Sequence, residues 1–451
     1  MRRTILLLAT MALTLFVASG VVLGAGIGSA GAQSSVVGPG ESIQKAVNAA
    51  HPGDTIVVRG VHREDVIIRK NGIKLRGDDA VIEAPTRAKA DSPCSRVVRR
   101  PEAICVWGDF NINTGKLTGQ RVRDVSVSGF TIRDFKIKGK GDNDALVIDV
   151  YAARNATVVG NRAIGNVAGG IGAGRSVNTT VANNHVIGSP ETDSAGISVS
   201  NDTRNTTVVK NVVRGISGGC RSCHPRNAIE VKESMDTTVA GNDLIDDWLG
   251  VSLENSTGTK ILSNDISRSG NVGIYMEGPK PANAKVVGNR ISGGPWGIYI
   301  TDTHRGSIAG NTIRNNCAGM FFEADHFKEH VGGFEVRGNT VENNTRSCRA
   351  AQFDRNFSGI GIALLGGASG MELTGNHLSG NVPSGPTAVS GGVVVATDPF
   401  NVGDTAKPKN NSVIGNHFGR NKPDIYWDKS GSGNSFLGNL CDTSVPSRLC
   451  N

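Results

Sequence analysis

The stretch that decides the fold runs from Gly297 to Glu323 and reads GIYITDTHRGSIAGNTIRNNCAGMFFE. It opens on a short alternating strand, Gly297 to Thr301, crosses a polar turn, and gives a second apolar run that ends in Gly310-Asn311. It then returns to an alternating strand at Gly319 to Glu323. Ile298 and Met320, 22 residues apart, hold the same place in successive strands. A unit that regains its starting geometry after so short an interval stacks on its own copy.

Along residues 122–439 the second part of that phrase recurs as TVVGNRAIG at Asn161, TVANNHVIG at Asn184, KVVGNRIS at Asn289 and SVIGNHFG at Asn416. Asn211, Asn242, Asn264, Asn311, Asn339, Asn376 and Asn439 complete eleven rungs. Strands of three to five residues cannot bury an apolar side alone, but they can when each coil lies on the last. Gly and Asn tolerate left-handed backbone at a sharp bend, and an Asn amide inside the bend can bond the coils above and below it. The asparagines therefore predict an internal ladder that serves structure and not chemistry.

The first part of the phrase recurs as GISVS at 196–200, AIEVK at 228–232, GVSLE at 250–254, GIYME at 273–277 and GIALL at 361–365. Alternation puts Ile197, Ile229, Val251, Ile274, Ile298, Met320 and Ile362 in one inward column. Val199, Val231, Leu253, Met276, Ile300, Phe322 and Leu364 fall in a second. Outward columns then read Ser198, Glu230, Ser252, Tyr275, Tyr299, Phe321, Ala363 and Ser200, Lys232, Glu254, Glu277, Thr301, Glu323, Leu365. The glycines carry no G-x-y period, which excludes collagen, and neither a leucine-rich horseshoe nor a propeller blade pattern is present.

A solenoid must cap its exposed core. Residues 39–50, PGESIQKAVNAA, put Ile43, Ala46, Val47 and Ala50 on one face of a short helix with Ser42 as N-cap, leading through His51-Pro-Gly-Asp54 into a first strand, Thr55 to Val58. This opening, from Ser42 to Ile68, resembles that of pectate-lyase-like proteins of the PbH1-repeat superfamily, and the likeness spans almost all of residues 36–445. The resemblance implies an all-β, single-stranded right-handed parallel β-helix solenoid with an N-terminal capping helix. The general right-handed preference of parallel β connections agrees. The superfamily includes polysaccharide lyases, hydrolases and epimerases together with binding members, so it does not fix a reaction. No DPH-type epimerase signature is present, and Trp107-Gly108-Asp109 matches only part of the W-x-D-H of pectate lyases.

Gly 60 and aromatics at 5% of 451 residues suit a turn-dense β architecture, and hydrophobic residues at 38% are too many for disorder. Residues 1–32 read as a secretory signal peptide, with Arg2 and Arg3 before an apolar stretch and Ala30-Gly31-Ala32 as the cleavage site; left uncleaved, that stretch is long enough to anchor the chain in a bilayer. Residues 33–451 form the β-helix domain, with excursions at Pro85–Gln120, Thr345–Phe357 and Pro383–Asn410. Removing residues 1–32 lowers the formal charge from +8 to +6, which permits attraction to an acidic polymer. Eight cysteines, all in the exported part, predict disulfides, paired as sequence neighbours: Cys94–Cys105, Cys220–Cys223, Cys317–Cys348 and Cys441–Cys450. Cys220-x-x-Cys223-His224 could instead hold a metal or a redox pair.

Chemistry is expected on the outward columns and the turns after them. Glu254 and Glu277 fall on adjacent coils, and like charges so close either bind a cation, for which Ca2+ is suited, or raise one another's pKa. Glu277, Asp302, His304, Glu323, Asp325 and His326 are the candidate catalytic groups; Lys232, Glu254, Tyr275, Tyr299, Arg305 and Phe321 are candidate substrate contacts. Aromatic faces stack on pyranose rings, carboxylates bond hydroxyls, and a paired acid and base could cleave a glycosidic bond or remove a proton beside a uronate carboxylate. The sequence thus points to a secreted, monomeric protein acting on a polysaccharide as lyase, hydrolase or epimerase. Its alternative is a non-catalytic protein that binds surface glycan or another partner. Basic residues are scattered without interleaved aromatics, which argues against nucleic acid.

Overall fold

A computed structural model describes residues 31–85, 94, 102–111, 114, 116–135, 145–189, 192, 194–217, 226–324, 331–350, 355–401 and 405–450. Residues 1–30 of the expected signal peptide, Cys220, Cys223, His224, Asp325 and His326 lie outside the described residues. The chain winds as a parallel β-helix. One wall is a 14-stranded sheet and the rest of the circuit is a 25-stranded sheet bent at the asparagines. In a representative coil Trp296–Thr301 belongs to the first sheet, while His304–Ala309 and Thr312–Arg314 flank Asn311 in the second. The antiparallel pairs described are Phe110–Asn111 with Lys116–Leu117 and Cys348–Ala350 with Arg355–Phe357, within two of the predicted excursions.

Register bears out both inward columns. Ile197, Ile229, Val251, Ile274, Ile298, Met320 and Ile362 are successive partners, and all are buried. Each such aliphatic side chain contributes roughly 1.5–3 kcal/mol by leaving water. Glycine precedes six of the seven residues of this column, Ala228 standing before Ile229, and its cause is steric: a Cβ on Gly297 would lie 2.5 Å from the Gly319 carbonyl oxygen, and one on Gly273 2.6 Å from that of Gly297. Backbone of the next coil occupies the space that a side chain would need.

The ladder is unbroken. From Asn161 to Asn416 each backbone N–H donates to the Oδ1 of the next rung at 2.9–3.0 Å, ending on Asn439. The side-chain amides donate back to carbonyls such as Val158 and Ile261 of the coil before. A second ladder, Asn316, Asn344, Asn381 and Asn421, runs along the opposite bend. At that bend Asp247 accepts the Ile216 N–H at 2.7 Å.

Helix Ile43–Ala49 closes the first coil with Ile43 and Val47 buried and Ser42 accepting from the Lys45 N–H. The Glu64 carboxylate also accepts from the Ile43 N–H, tying the cap to the body. The disulfides Cys94–Cys105, Cys317–Cys348 and Cys441–Cys450 form as predicted from sequence neighbourhood. Among the described residues, no helix is long and apolar enough to cross a membrane.

Candidate functional site

The outward face of the 14-stranded sheet divides into a roofed part and an open edge. Over its later coils, Trp296, Tyr299, Phe321 and Ile360 form a second apolar cluster with Phe357 and Phe400, which the Thr345–Phe357 and Pro383–Asn410 excursions bring down onto the sheet. Trp296 stacks on Phe357 with ring centroids 4.5 Å apart, and Phe321 meets Phe400 at 5.6 Å. Cys317–Cys348 fastens the first of these excursions to the coil beneath. Tyr299, Phe321 and Glu323 consequently lie at 5%, 2% and 0% exposure. Tyr299 spends its hydroxyl on Glu323 Oε2 at 2.8 Å.

Along the open edge the expected carboxylate row is present, but each member has a partner. Glu254 and Glu277 are register neighbours. Glu254 Oε1 meets Lys232 Nζ at 2.9 Å, and Glu277 accepts the hydroxyl of Tyr275. Burial works against the Lys232 cation, yet the hydrogen bond and charge of Glu254 outweigh it and raise its pKa. Farther back, Glu230 accepts from Ser198 at 2.9 Å and from Asn227 at 3.2 Å.

Immediately past the strand ends the chain turns at Asp302, whose φ of 52° a short polar side chain tolerates. Thr303 fixes this turn by donating to the Lys280 carbonyl at 2.9 Å. The turn lines a cleft of about 450 Å³ with Pro279, Asp302, His304, Arg305, Gly332, Gly333 and Ser369. Asp302 is buried in its wall, His304 half-buried and Arg305 exposed. Three predicted residues are thus brought to one cleft, and Tyr275 and Glu277 stand on the neighbouring strand. Gly332, Gly333 and Ser369 were not singled out from sequence, because nothing but register places them beside His304.

A separate acidic group lies near the N-terminal end. Asp149 occupies the outward column, and burial raises its pKa to about 6. Glu102 is almost wholly buried near the Cys94–Cys105 bridge; burial first, then the charges of Asp149 and Asp65, push its carboxyl well above the usual range. Among the described residues, the one cluster of three metal-ligating atoms within 4.8 Å is Cys94, Glu102 and Cys105. Its sulfurs are already joined to each other.

A family model described as a right handed beta helix region matches residues 227–402. The crystal structure of PfbA, a surface adhesin of Streptococcus pneumoniae, is similar at 14% identity and a TM-score of 0.51, covering 88% of this chain and 86% of that one. XylC in complex with xylose aligns at 10% identity and a TM-score of 0.49 over 86% of each chain. DFA-IIIase from Arthrobacter chlorophenolicus A6 in complex with GF2 aligns at 14% identity and a TM-score of 0.46, over 87% of this chain and 86% of that one. No curated protein matches the sequence. The family model and the adhesin structure agree on a right-handed parallel β-helix, and the fold alone is what they share with this chain.

Proposed function

We propose that this right-handed parallel β-helix, released as residues 33–451 after removal of its signal peptide, works outside the cytoplasm on a linear polysaccharide laid along the open edge of its 14-stranded sheet. The observation that carries the reading is the cleft lined by Asp302, His304 and Arg305, one strand on from Tyr275 and Glu277. Tyr275, half-buried on the preceding strand with its ring against Tyr299, offers the aromatic face. Arg305 supplies a charge for a uronate carboxylate, and His304 with Asp302 supplies the acid and base that elimination, epimerisation or hydrolysis requires. In an elimination, a base takes the proton beside the carboxylate, the C–O bond to the next sugar breaks, and an acid protonates the departing oxygen. Asp325 and His326 follow the buried Glu323 in sequence and are kept as candidates for the same edge. The carboxylates of the row offer oxygens to Ca2+ only if Glu254 gives up Lys232.

The test incubates the secreted protein with neutral and uronate polysaccharides, with and without Ca2+, and measures reducing ends and unsaturated products. A lyase gives unsaturated ends that His304→Ala abolishes, a hydrolase gives reducing ends alone, and an epimerase changes uronate composition without cleavage. Silence across all three readouts rejects the catalytic form.

One observation favours a non-catalytic form of the same reading. Glu254 and Glu277 are engaged by Lys232 and Tyr275, an arrangement suited to a preformed binding surface. Retention of a glycan without turnover, lost on Tyr275→Ala, would support it. The superfamily's mixture of carbohydrate-active enzymes and adhesins accommodates either outcome.

A further inference from the structure

The edge that holds the cleft continues toward the N-terminal end, and there it becomes basic. Register sets Arg123 beside Arg154. Arg154, Val177, Arg204, Met235 and Thr257 then follow as bridge partners, one per coil. The series runs on through the Gly258 N–H to the Ala282 carbonyl, and the Ala282 N–H to the carbonyl of His304. Arginines and cleft therefore share one corner of the solenoid. With coils about 4.8 Å apart, Arg123 and Arg204 are separated by about 14 Å, and Arg204 and His304 by about 19 Å.

Arg123, Arg154 and Arg204 are exposed. Arg121 lies among them, half-buried, with its Nε donating to the Arg175 carbonyl at 3.2 Å. Arg175 rests over the Phe110 ring at 5.0 Å and pairs with Asp202 at 3.3 Å. Among the described residues, no carboxylate forms an ion pair with Arg121, Arg123, Arg154 or Arg204. Asp124, next in sequence to Arg123, instead accepts from Asn155 at 3.0 Å. Burial, and then the charges of Arg154 and Arg204, lower the pKa of Arg121, as expected of guanidiniums that repel one another. Arg123 and Arg154 stand on adjacent coils and Arg204 two coils beyond, without ion-pair partners among the described residues; with each coil about one pyranose in length, this spacing matches a chain that carries anions one and two sugars apart.

We propose that this corner is a binding track for a linear anionic glycan, whose carboxylate or sulfate groups are held by Arg123, Arg154 and Arg204 and whose chain continues toward the cleft at His304. The proposal deepens the glycan reading, on which it rests for the ligand being a sugar, by assigning the ligand its charge and direction.

The experiment measures binding of the secreted protein to fluorescent polygalacturonate, dextran sulfate, neutral dextran and a DNA duplex over a range of salt. We expect the anionic sugars to bind, and the double variant Arg154→Gln/Arg204→Gln to bind them at least about tenfold more weakly. The salt dependence should flatten by roughly one unit of slope per guanidinium removed, with the melting temperature unchanged. Preference for polygalacturonate over dextran sulfate identifies carboxylate as the recognised group, and the reverse identifies sulfate. Arg154→Lys/Arg204→Lys, which keeps the charges, should recover most of the binding. Unchanged affinity in the Gln variant overturns the proposal, as does a DNA duplex bound as tightly as either sugar. Binding of neutral dextran that ignores the arginines overturns the track while leaving the polysaccharide reading standing; binding to no glycan removes both.

Discussion

The hydroxyl of Tyr299 donates to the carboxyl of Glu323 on the next coil at 2.8 Å, with both side chains buried. One coil earlier, Tyr275 bonds Glu277 within its own strand at a half-exposed edge. The same pair of residue types thus plays two parts along one sheet, a buried tie under the aromatic roof and a half-exposed pair one coil earlier.

Removing the buried tie should therefore cost stability and removing the open one should not. Tyr299→Phe is expected to destabilise by about 2 kcal/mol, since a buried hydrogen bond is lost and the Glu323 oxygen that accepted it stays buried. Tyr275→Phe should cost less than about 1 kcal/mol. Urea unfolding of the two variants side by side checks the contrast, and equal losses would contradict it.

Gly297 faces the backbone of the following coil. Gly297→Ala places a methyl 2.5 Å from both the Gly319 carbonyl oxygen and Ile313 Cγ2. A carbonyl fixed in the ladder of the next strand cannot yield, so a loss of about 1–3 kcal/mol, the usual range for overpacking, is expected in denaturant unfolding. Gly310→Ala provides the comparison: it meets no neighbour, but its φ of 61° carries backbone strain alone.

Asp247 stands at the bend where other coils carry asparagine. Burial dominates and raises its pKa well above the usual 3.8, with the Ile216 N–H acting in the opposite sense. Because the folded state holds this proton more tightly than the unfolded chain, its contribution to stability is complete below about pH 3.8 and is lost as pH rises through the folded-state pKa. Asp247→Asn keeps the acceptor for Ile216 and removes the charge. It should be more stable than the parent at neutral pH, with the difference vanishing in acid. Chemical denaturation at pH 4 and pH 7.5 measures this, and an equal difference at both would refute the assignment.

Asn289 tests the ladder itself. Its Oδ1 accepts from both the N–H and the side chain of Asn264, and its own amide donates to the Ile261 carbonyl at 2.9 Å. Asn289→Ala orphans buried groups on both sides, each costing about 1–3 kcal/mol. A far larger fall in thermal midpoint is expected than for Asn178→Ala, whose exposed amide makes a similar stack in contact with water.

What could be read from the sequence was whatever repeats. Eleven asparagines and two inward columns recur at matched offsets, so Asn289 and Ile298 declared their places before any coordinates. The roof did not: Phe357 and Phe400 reach Trp296 and Phe321 from non-repeating excursions, whose path no periodicity fixes. Glu254 and Glu277 were rightly placed as neighbours, but Lys232 and Tyr275 engage them, which charge counting along one column overlooked. The arginine corner escaped for a different reason. Arg123, Arg154 and Arg204 stand far apart in sequence and align only once the unequal coil lengths have been taken up by loops.

The amide ladder also makes the protein a ruler graduated in whole turns. Each rung repeats the one before, so excising residues 265–289 would bring Asn264 against Asn311 and restore every bond to an identical donor or acceptor, whereas a cut of half that size would leave two rungs facing nothing. The distance between the two ends of the molecule can therefore shorten or lengthen only in steps of one coil, about 4.8 Å each.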